Sequence, residues 1–397
     1  MKVLFITARF PYPPIKGDKA IPYYRLKHLS KNHEITLLSF AEDDIDKIHF
    51  EEISKYCKEV YVIPFKRGWA FLNLMLNGIS KVPLQVLYYK SKNFKSKVEE
   101  LLKENKYDLI HAFMLRIAPY ISEYKGCPKI IEFIDSMELN MKTRASLEKG
   151  FKKWIFMEEA NRLSQYEKTI AKKFDYVTVV SNIDKDVIDG NNIVVTPLGV
   201  DTQIFYSNGI EKKDENLIIF TGNMGYFHNE MAVLYFVENI FPIVQGRIQN
   251  VKFWIIGRGV SRRVKKLEKD KKSIRVLGWV DSMPDYINRA TVFVCPLRSG
   301  SGMQFKILEA LSCGVPVVTT SIGKGDINLN EEDGLFVADE PEKFADKVIE
   351  IIMDKDLQKN IVQKAPKAIK DKYSWESSNL IIEKIYSELI NKNHKDK

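Results

Sequence analysis

Cysteine is scarce in this chain: Cys57, Cys127, Cys295 and Cys313 are the only four in 397 residues, and no two form a CxxC pair. That spacing argues against a disulfide framework and against the common zinc modules, and it fits a reduced, cytoplasmic setting. Long apolar runs are lacking as well, none approaching the roughly 20 residues that a membrane-spanning helix needs. The chain opens at once on the strand-like MKVLFIT, without the basic and apolar regions of a secretion signal. No GxGxxG follows that first strand, which counts against a standard dinucleotide site there. No short repeat of fixed period is present either.

What is there reads as a globular protein of two domains. A length of 397 residues is too great for one ordinary core, and 45% hydrophobic with 28% charged residues suits a packed, water-facing fold. Short β-branched and aromatic runs alternate with helical stretches: KVLFIT, HEITLLSF, VYVIPF, DLIHAF, KIIEFID and YVTVVS. A second series follows, with NLIIFTG, VKFWIIGRG, IRVLGWV, TVFVCPL, VPVVTT and GLFVAD. Near-continuous apolar strands separated by helices predict parallel sheets covered on both faces. The expected fold class is therefore α/β, with two doubly wound Rossmann-like domains facing each other across a cleft. The first covers 1–195 and the second 196–375, joined near TPLGVDTQIF.

In open parallel sheets, ligands gather where the C-terminal ends of the strands meet the following loops. The segment SGSGMQFKILEALSCGVPVVTT, 299–320, is such a place: Gly300, Ser301, Gly302 and Met303 lead into a helix that carries Lys306 and Glu309. Glycines let backbone approach a ligand, and a helix N-terminus offers free N–H groups to an anion. Lys306 and Glu309 stand three apart and share a helical face, a cation for phosphate beside a carboxylate for ribose hydroxyls. FTGNMGYFHN supplies Gly222, Asn223 and Asn229, the last suited either to cap a helix or to touch a ligand. IIGRG supplies Arg258 as a phosphate clamp or a solvated side chain. In the first half, a proline-rich loop ends at Gly17, while His111 and Asp135 close apolar strands as candidate catalytic groups.

The net charge of +9 (61 Lys and Arg against 52 Asp and Glu) favours an anionic partner. Between 142 and 173 lie nine basic and four acidic residues, interleaved with Phe151, Trp154, Ile155, Phe156 and Leu163. This segment and 69–90 suit either an anionic membrane surface or packed helices with a solvated basic face. No recognisable nucleic-acid module is present, so nucleic acid is not an expected partner.

Taken together, SGSGMQFKILEALSCGVPVVTT, TPLGVDTQIF, FTGNMGYFHN, IIGRG, VLGWVDSMPDYINRATVFVCPL and KYSWE resemble the family 4 glycosyltransferases of the two-domain B-type fold (GT-B), closest to the bacterial sugar transferases of surface-polysaccharide assembly. The resemblance is strong over 193–376 and weaker before it. It implies transfer of a sugar from a nucleotide diphosphate sugar to a hydroxyl of a saccharide acceptor, lipid-linked in this subgroup, with anomeric retention and without a metal or other cofactor. It also implies a donor held by the second domain, an acceptor held by the first, closure of the two around the reaction, and a terminal helix, 376–397, returning to the first domain. By motif, Glu309 corresponds to the ribose-binding glutamate and Gly300 to Met303 to the diphosphate cradle. Val280 corresponds to the base contact, and Lys306, assisted by Arg298 or Arg258, to the phosphate-binding cation. The chain departs from the family at Ser301, where a glutamate is usual, at Asn223, where an arginine is usual, and at Asp135, where many relatives carry histidine. A glycine pair of the first loop is reduced to Gly17-Asp18. These departures leave two alternatives: a nucleotide-sugar-binding module without catalysis, and a nucleotide-sugar epimerase of the same fold.

Overall fold

A computed structural model describes residues 1–14, 17–41, 45, 47–78, 80–209, 213–270, 272–299 and 302–395. The chain forms two compact units, Met1–Pro197 with Ser378–Lys397, and Leu198–Ser377.

The first unit is built on seven parallel strands: β1 (Lys2–Thr7), β2 (Glu34–Ala41), β3 (Glu59–Pro64), β4 (Leu109–Phe113), β5 (Lys129–Ile134), β6 (Tyr176–Val179) and β7 (Ile193–Val195), in the spatial order β3-β2-β1-β4-β5-β6-β7. The central strands read as continuous apolar runs because helices cover both faces, and every residue of β4 is buried. Strand order reverses between β1 and β4, so the chain leaves a crevice beyond their C-terminal ends. The short IVV run of β7, not among the strand runs read on sequence, falls within the expected first domain and belongs to this sheet. From Ser378 onward, the last helix, Trp375–Lys395, also belongs to this unit.

That helix is tied down by a buried polar network. Arg25 is 1% exposed and gives its Nε and Nη2 to the Glu132 carboxylate at 3.1–3.3 Å, while its Nη1 reaches Ser378 Oγ and Asn379 Oδ1. Burial alone would raise the Glu132 carboxyl, but Arg25 and His111 outweigh it and hold it down to about 2. Because that ionised carboxylate only accepts, His111 Nε2 donates to it at 2.9 Å, and His111 Nδ1 is left to accept from Tyr386 Oη of the terminal helix at 2.7 Å. Burial lowers the His111 pKa, which keeps the ring neutral and fits this tautomer.

The second unit has six parallel strands: β8 (Leu217–Thr221), β9 (Lys252–Ile256), β10 (Ile274–Gly278), β11 (Val292–Cys295), β12 (Val317–Thr319) and β13 (Leu335–Val337), in the order β10-β9-β8-β11-β12-β13. All six fall on the apolar runs of the second series. The order reverses between β8 and β11, so the loops after these two strands flank this sheet's crevice. The fold class is thus α/β, two Rossmann-like units. All four cysteines are free thiols, and no helix among the described residues is long and apolar enough to cross a membrane.

Candidate functional site

In the second unit, the loops after β8 and β9 lie backbone against backbone. Gly257 has φ of 144°, and a Cβ placed on it would fall 1.8 Å from the carbonyl oxygen of Gly222, so only glycine fits. The contact is closed by two hydrogen bonds, Gly222 N to the Ile256 carbonyl and Met224 N to the Arg258 carbonyl, at 2.9 and 2.8 Å. Asn223 shapes the first loop, its Oδ1 accepting from Gly225 N at 2.9 Å. Its side chain therefore serves a local turn instead of carrying the positive charge usual at this place.

Asn229 does not cap its helix. The helix runs Phe227–Tyr235 with Tyr226 as N-cap, which places Asn229 inside the first turn, 4% exposed. There it bridges two loops: Nδ2 donates to the Asn223 carbonyl at 2.9 Å, and Oδ1 accepts from Lys306 Nζ. The Lys306 ammonium lies 4.8 Å from the Phe220 ring centroid and 3.2 Å from where a Cβ on Gly222 would sit. Burial lowers its pKa, with Glu309 acting in the opposite sense.

Lys306 opens the helix Phe305–Ser312, whose N-cap Gln304 makes no side-chain capping bond. Gln304 thus gives the first-turn amides no side-chain acceptor, and of these amides Ile307 N donates to the Gln304 carbonyl at 3.1 Å; such a helix start suits an anion. Gly302, Gln304, Phe305 and Lys306 keep partial exposure, so the helix mouth is reachable from solvent, while Met303 packs inward. Gly302 has φ of 79°, and Gly300 and Ser301 lie outside the described residues. One turn along, the Glu309 carboxylate accepts no hydrogen bond among the described residues. It is partly exposed, yet its packed surroundings desolvate it and push it up to about 7 against the pull of Lys306.

Both candidate arginines are exposed and lie over aromatic rings: Arg258 over Trp279 at 5.1 Å and Arg298 over Tyr235 at 4.7 Å. Such stacking fixes the guanidinium plane while leaving its N–H edges available. Val280 is half-buried, two residues past the end of β10. The described candidates from Gly222 to Glu309 therefore follow strands β8, β9, β10 and β11 of one sheet, all on its C-terminal edge. Gly17 belongs to the first unit, where it starts the helix Gly17–Leu29 and is followed by Asp18, the ion-pair partner of Arg9.

His111 is not presented at a strand end. It sits in the middle of β4, paired with Phe5 of β1, fully buried, with both ring nitrogens engaged in the network described above. The expectation of a catalytic histidine is corrected accordingly: the strand continues to Phe113, and His111 is a core residue. Asp135 does lie at a strand end, just after Ile134, partly exposed, with its Oδ2 accepting from Asn140 Nδ2 at 2.8 Å. Burial raises its pKa, which strengthens it as a proton acceptor.

Residues 215–354 match the family model for group 1 glycosyl transferases. That stretch contains every candidate of the second unit. Over 99% of this chain and 100% of the other, the sequence is 23% identical to an uncharacterised 44.6 kDa protein in the cps region of Klebsiella pneumoniae. It is 27% identical, over 67% of this chain and 71% of the other, to the Escherichia coli UDP-Gal:alpha-D-GlcNAc-diphosphoundecaprenol alpha-1,3-galactosyltransferase. Among solved structures, Anabaena HepE in complex with UDP and glucose aligns with a TM-score of 0.67 at 13% identity, covering 98% of this chain and 100% of that one.

Two carboxylates escaped the sequence reading. Glu167, in the helix Gly150–Ala171, accepts from Ser136 Oγ at 2.9 Å and from the amides of Met137 and Glu138 at 2.6 and 3.3 Å, closing the start of the helix Met137–Leu147. Burial pushes it up to about 7. Asp184 holds the Ser136 amide at 2.8 Å. Together they fix the turn that carries Asp135. Sequence did not single them out, because each shares its helix with other acidic residues, Glu158 and Glu159 in one and Asp186 in the other.

Proposed function

We propose that this protein transfers a sugar from a nucleotide diphosphate sugar to a hydroxyl of a saccharide acceptor carried on a lipid, in the synthesis of a cell-surface polysaccharide or glycoconjugate. The observation that carries the reading is the crevice of the second unit, where glycine backbone, an uncapped helix mouth, Lys306 and Glu309 converge within the segment that matches the transferase family. The donor class and the lipid-linked acceptor class follow those named for the Escherichia coli relative.

In this reading the first-turn amides of Phe305–Ser312 and the Lys306 ammonium hold the diphosphate without a metal ion and stabilise the charge that develops as it departs. Glu309 accepts from the ribose hydroxyls, Val280 lies against the base, and Arg258 and Arg298 flank the phosphates. Asp135 of the first unit accepts a hydrogen bond from the acceptor. The sugar is transferred with retention of configuration, by a same-face displacement that requires no protein nucleophile. The place of action is the cytoplasmic face of a membrane. The supporting feature is the exposure of Trp69, Phe71, Met75, Leu76, Phe151 and Trp154, all at 60% or more, beside exposed Lys66, Arg67, Lys149, Lys152 and Lys153. Leu163 takes no part in that surface, being fully buried.

Thermal-shift screening against nucleoside diphosphates and their sugar conjugates tests the donor site. One nucleotide should raise Tm in the wild type and fail to do so in Lys306→Ala, because a ligand that binds only the folded state stabilises it by mass action. No response to any nucleotide would defeat the reading. Binding without transfer to a lipid-linked saccharide would instead leave the non-catalytic module.

A further inference from the structure

A second charged pocket lies in the first unit. It has a volume of about 320 Å³ and is lined by Arg9, Arg116, Gln85, Tyr88, Tyr89, Leu74 and Leu84. Arg9 follows β1 by two residues and Arg116 follows β4 by three, so the two guanidiniums flank the point where this sheet's strand order reverses. Tyr89 stands between them: Arg9 Nε reaches its hydroxyl at 3.4 Å, and the Arg116 guanidinium lies 5.1 Å from its ring centroid. Gln85 Oε1 accepts from Arg116 Nη2 at 3.0 Å. Among the described residues no carboxylate lines the pocket, and Asp18 pairs with Arg9 without being part of the lining.

One further observation points to a missing acceptor. Arg116 Nε is buried and has no hydrogen-bond partner among the described residues. A guanidinium N–H stripped of water in this way is costly unless a ligand satisfies it. Backbone strain is found at the ends of two strands of this sheet, at residues that do not themselves line the pocket. Met114 and the β-branched Ile134, at the ends of β4 and β5, have φ of 76° and 75°, and such outliers concentrate where ligands are held. The other wall is apolar. Leu74 comes from the helix Arg67–Asn77, which also exposes Met75 and Leu76, and Leu84 opens the helix Leu84–Tyr88, whose first amides are held by the buried Glu159.

We propose that this pocket binds a phosphate group carried on an apolar chain, with Arg9 and Arg116 gripping the phosphate and Leu74, Leu84 and Tyr88 covering the first carbons of the chain. Planar guanidiniums match phosphate oxygens in paired hydrogen bonds, and the volume accommodates a phosphate with several methylenes. Binding depends only on the pocket; its use as the anchor of the acceptor rests on the transfer reading above.

Calorimetric titration of the full chain with octyl phosphate, inorganic phosphate and octyl glucoside, each below its micellar concentration, tests the assignment. Octyl phosphate should bind more tightly than either of the other two by about tenfold or more. Arg116→Gln and, separately, Arg9→Gln should each weaken it by about 10- to 100-fold, the worth of hydrogen bonds to a charged group, with nucleoside diphosphate binding unchanged. Equal binding by the wild type and both folded variants would overturn the site. Inorganic phosphate binding as tightly as octyl phosphate would overturn the apolar half of the proposal. Octyl phosphate binding without any nucleotide binding would sustain this pocket and sink the donor site, and the reverse result would sink this pocket alone.

Discussion

The two units share one topology and use it in opposite ways. Each is a parallel sheet whose strand order reverses at its centre, between β1 and β4 in the first and between β8 and β11 in the second. Beside the second reversal the rim is backbone: Gly222 and Gly225 after β8 meet Gly257 and Gly259 after β9, and one lysine lies against Gly222. At the first reversal the rim is side chain: two arginines, two tyrosines and leucines around a pocket. A backbone rim has little freedom to adjust and suits a ligand of fixed geometry such as a nucleoside diphosphate. A rim of long side chains adapts and suits a ligand with a charged head and a variable body.

Substitutions that touch one unit should leave the ligand of the other undisturbed. The largest effect on stability is expected in the first unit, where Glu132→Gln leaves the buried Arg25 without its charge partner. A loss of about 3–5 kcal/mol in urea unfolding follows from breaking a buried pair, with the nucleotide response intact in the protein that remains folded. Glu132 has its pKa held below the ordinary carboxylate value, so its stabilisation is complete above the unfolded pKa. It is lost as pH falls toward about 2.

Gly257→Ala should act on the second unit alone. The new Cβ meets the Gly222 carbonyl and the backbone is at positive φ, so a loss of about 1–3 kcal/mol is expected together with weakened nucleotide binding. A nucleotide response equal to the wild type would show that the loop contact does not shape the site.

The smallest effect is a pH dependence. Glu309 is raised to about 7 in the folded protein, so the folded state binds its proton more tightly than the unfolded state. Its contribution therefore becomes unfavourable as pH rises from the ordinary carboxylate range through about 7. Glu309→Gln should flatten the fall of Tm between pH 5 and pH 8, and nucleotide affinity in the wild type should rise over the same interval as the carboxylate ionises. Glu167, raised for the same reason, persists in the variant as an internal reference.

The architecture was legible because its signal is redundant. Each strand of the second unit is an apolar run such as NLIIFTG or TVFVCPL, and the alternation with helices admits few other folds. β7 was missed because three residues, IVV, carry too little pattern to separate a strand from a connection. At the site, Lys306 and Glu309 were visible through helical spacing, whereas the partnership of Lys306 with Asn229 joins residues 77 positions apart and has no local signature. His111 misled for a related reason. A polar residue near the end of an apolar run looks presented to solvent, but its partners Glu132 and Tyr386 lie 21 and 275 positions away and bury it. Arg9 and Arg116 escaped because sequence separates by more than a hundred residues what adjacent strands bring together.

The measurement that bears most directly on the account is a crystal structure of the protein with the nucleoside diphosphate that the thermal screen selects. The account predicts phosphate oxygens within about 3 Å of Lys306 Nζ and of the first-turn amides of Phe305–Ser312, with the ribose at Glu309. A nucleotide bound away from that helix, with Lys306 still held only by Asn229, would contradict it.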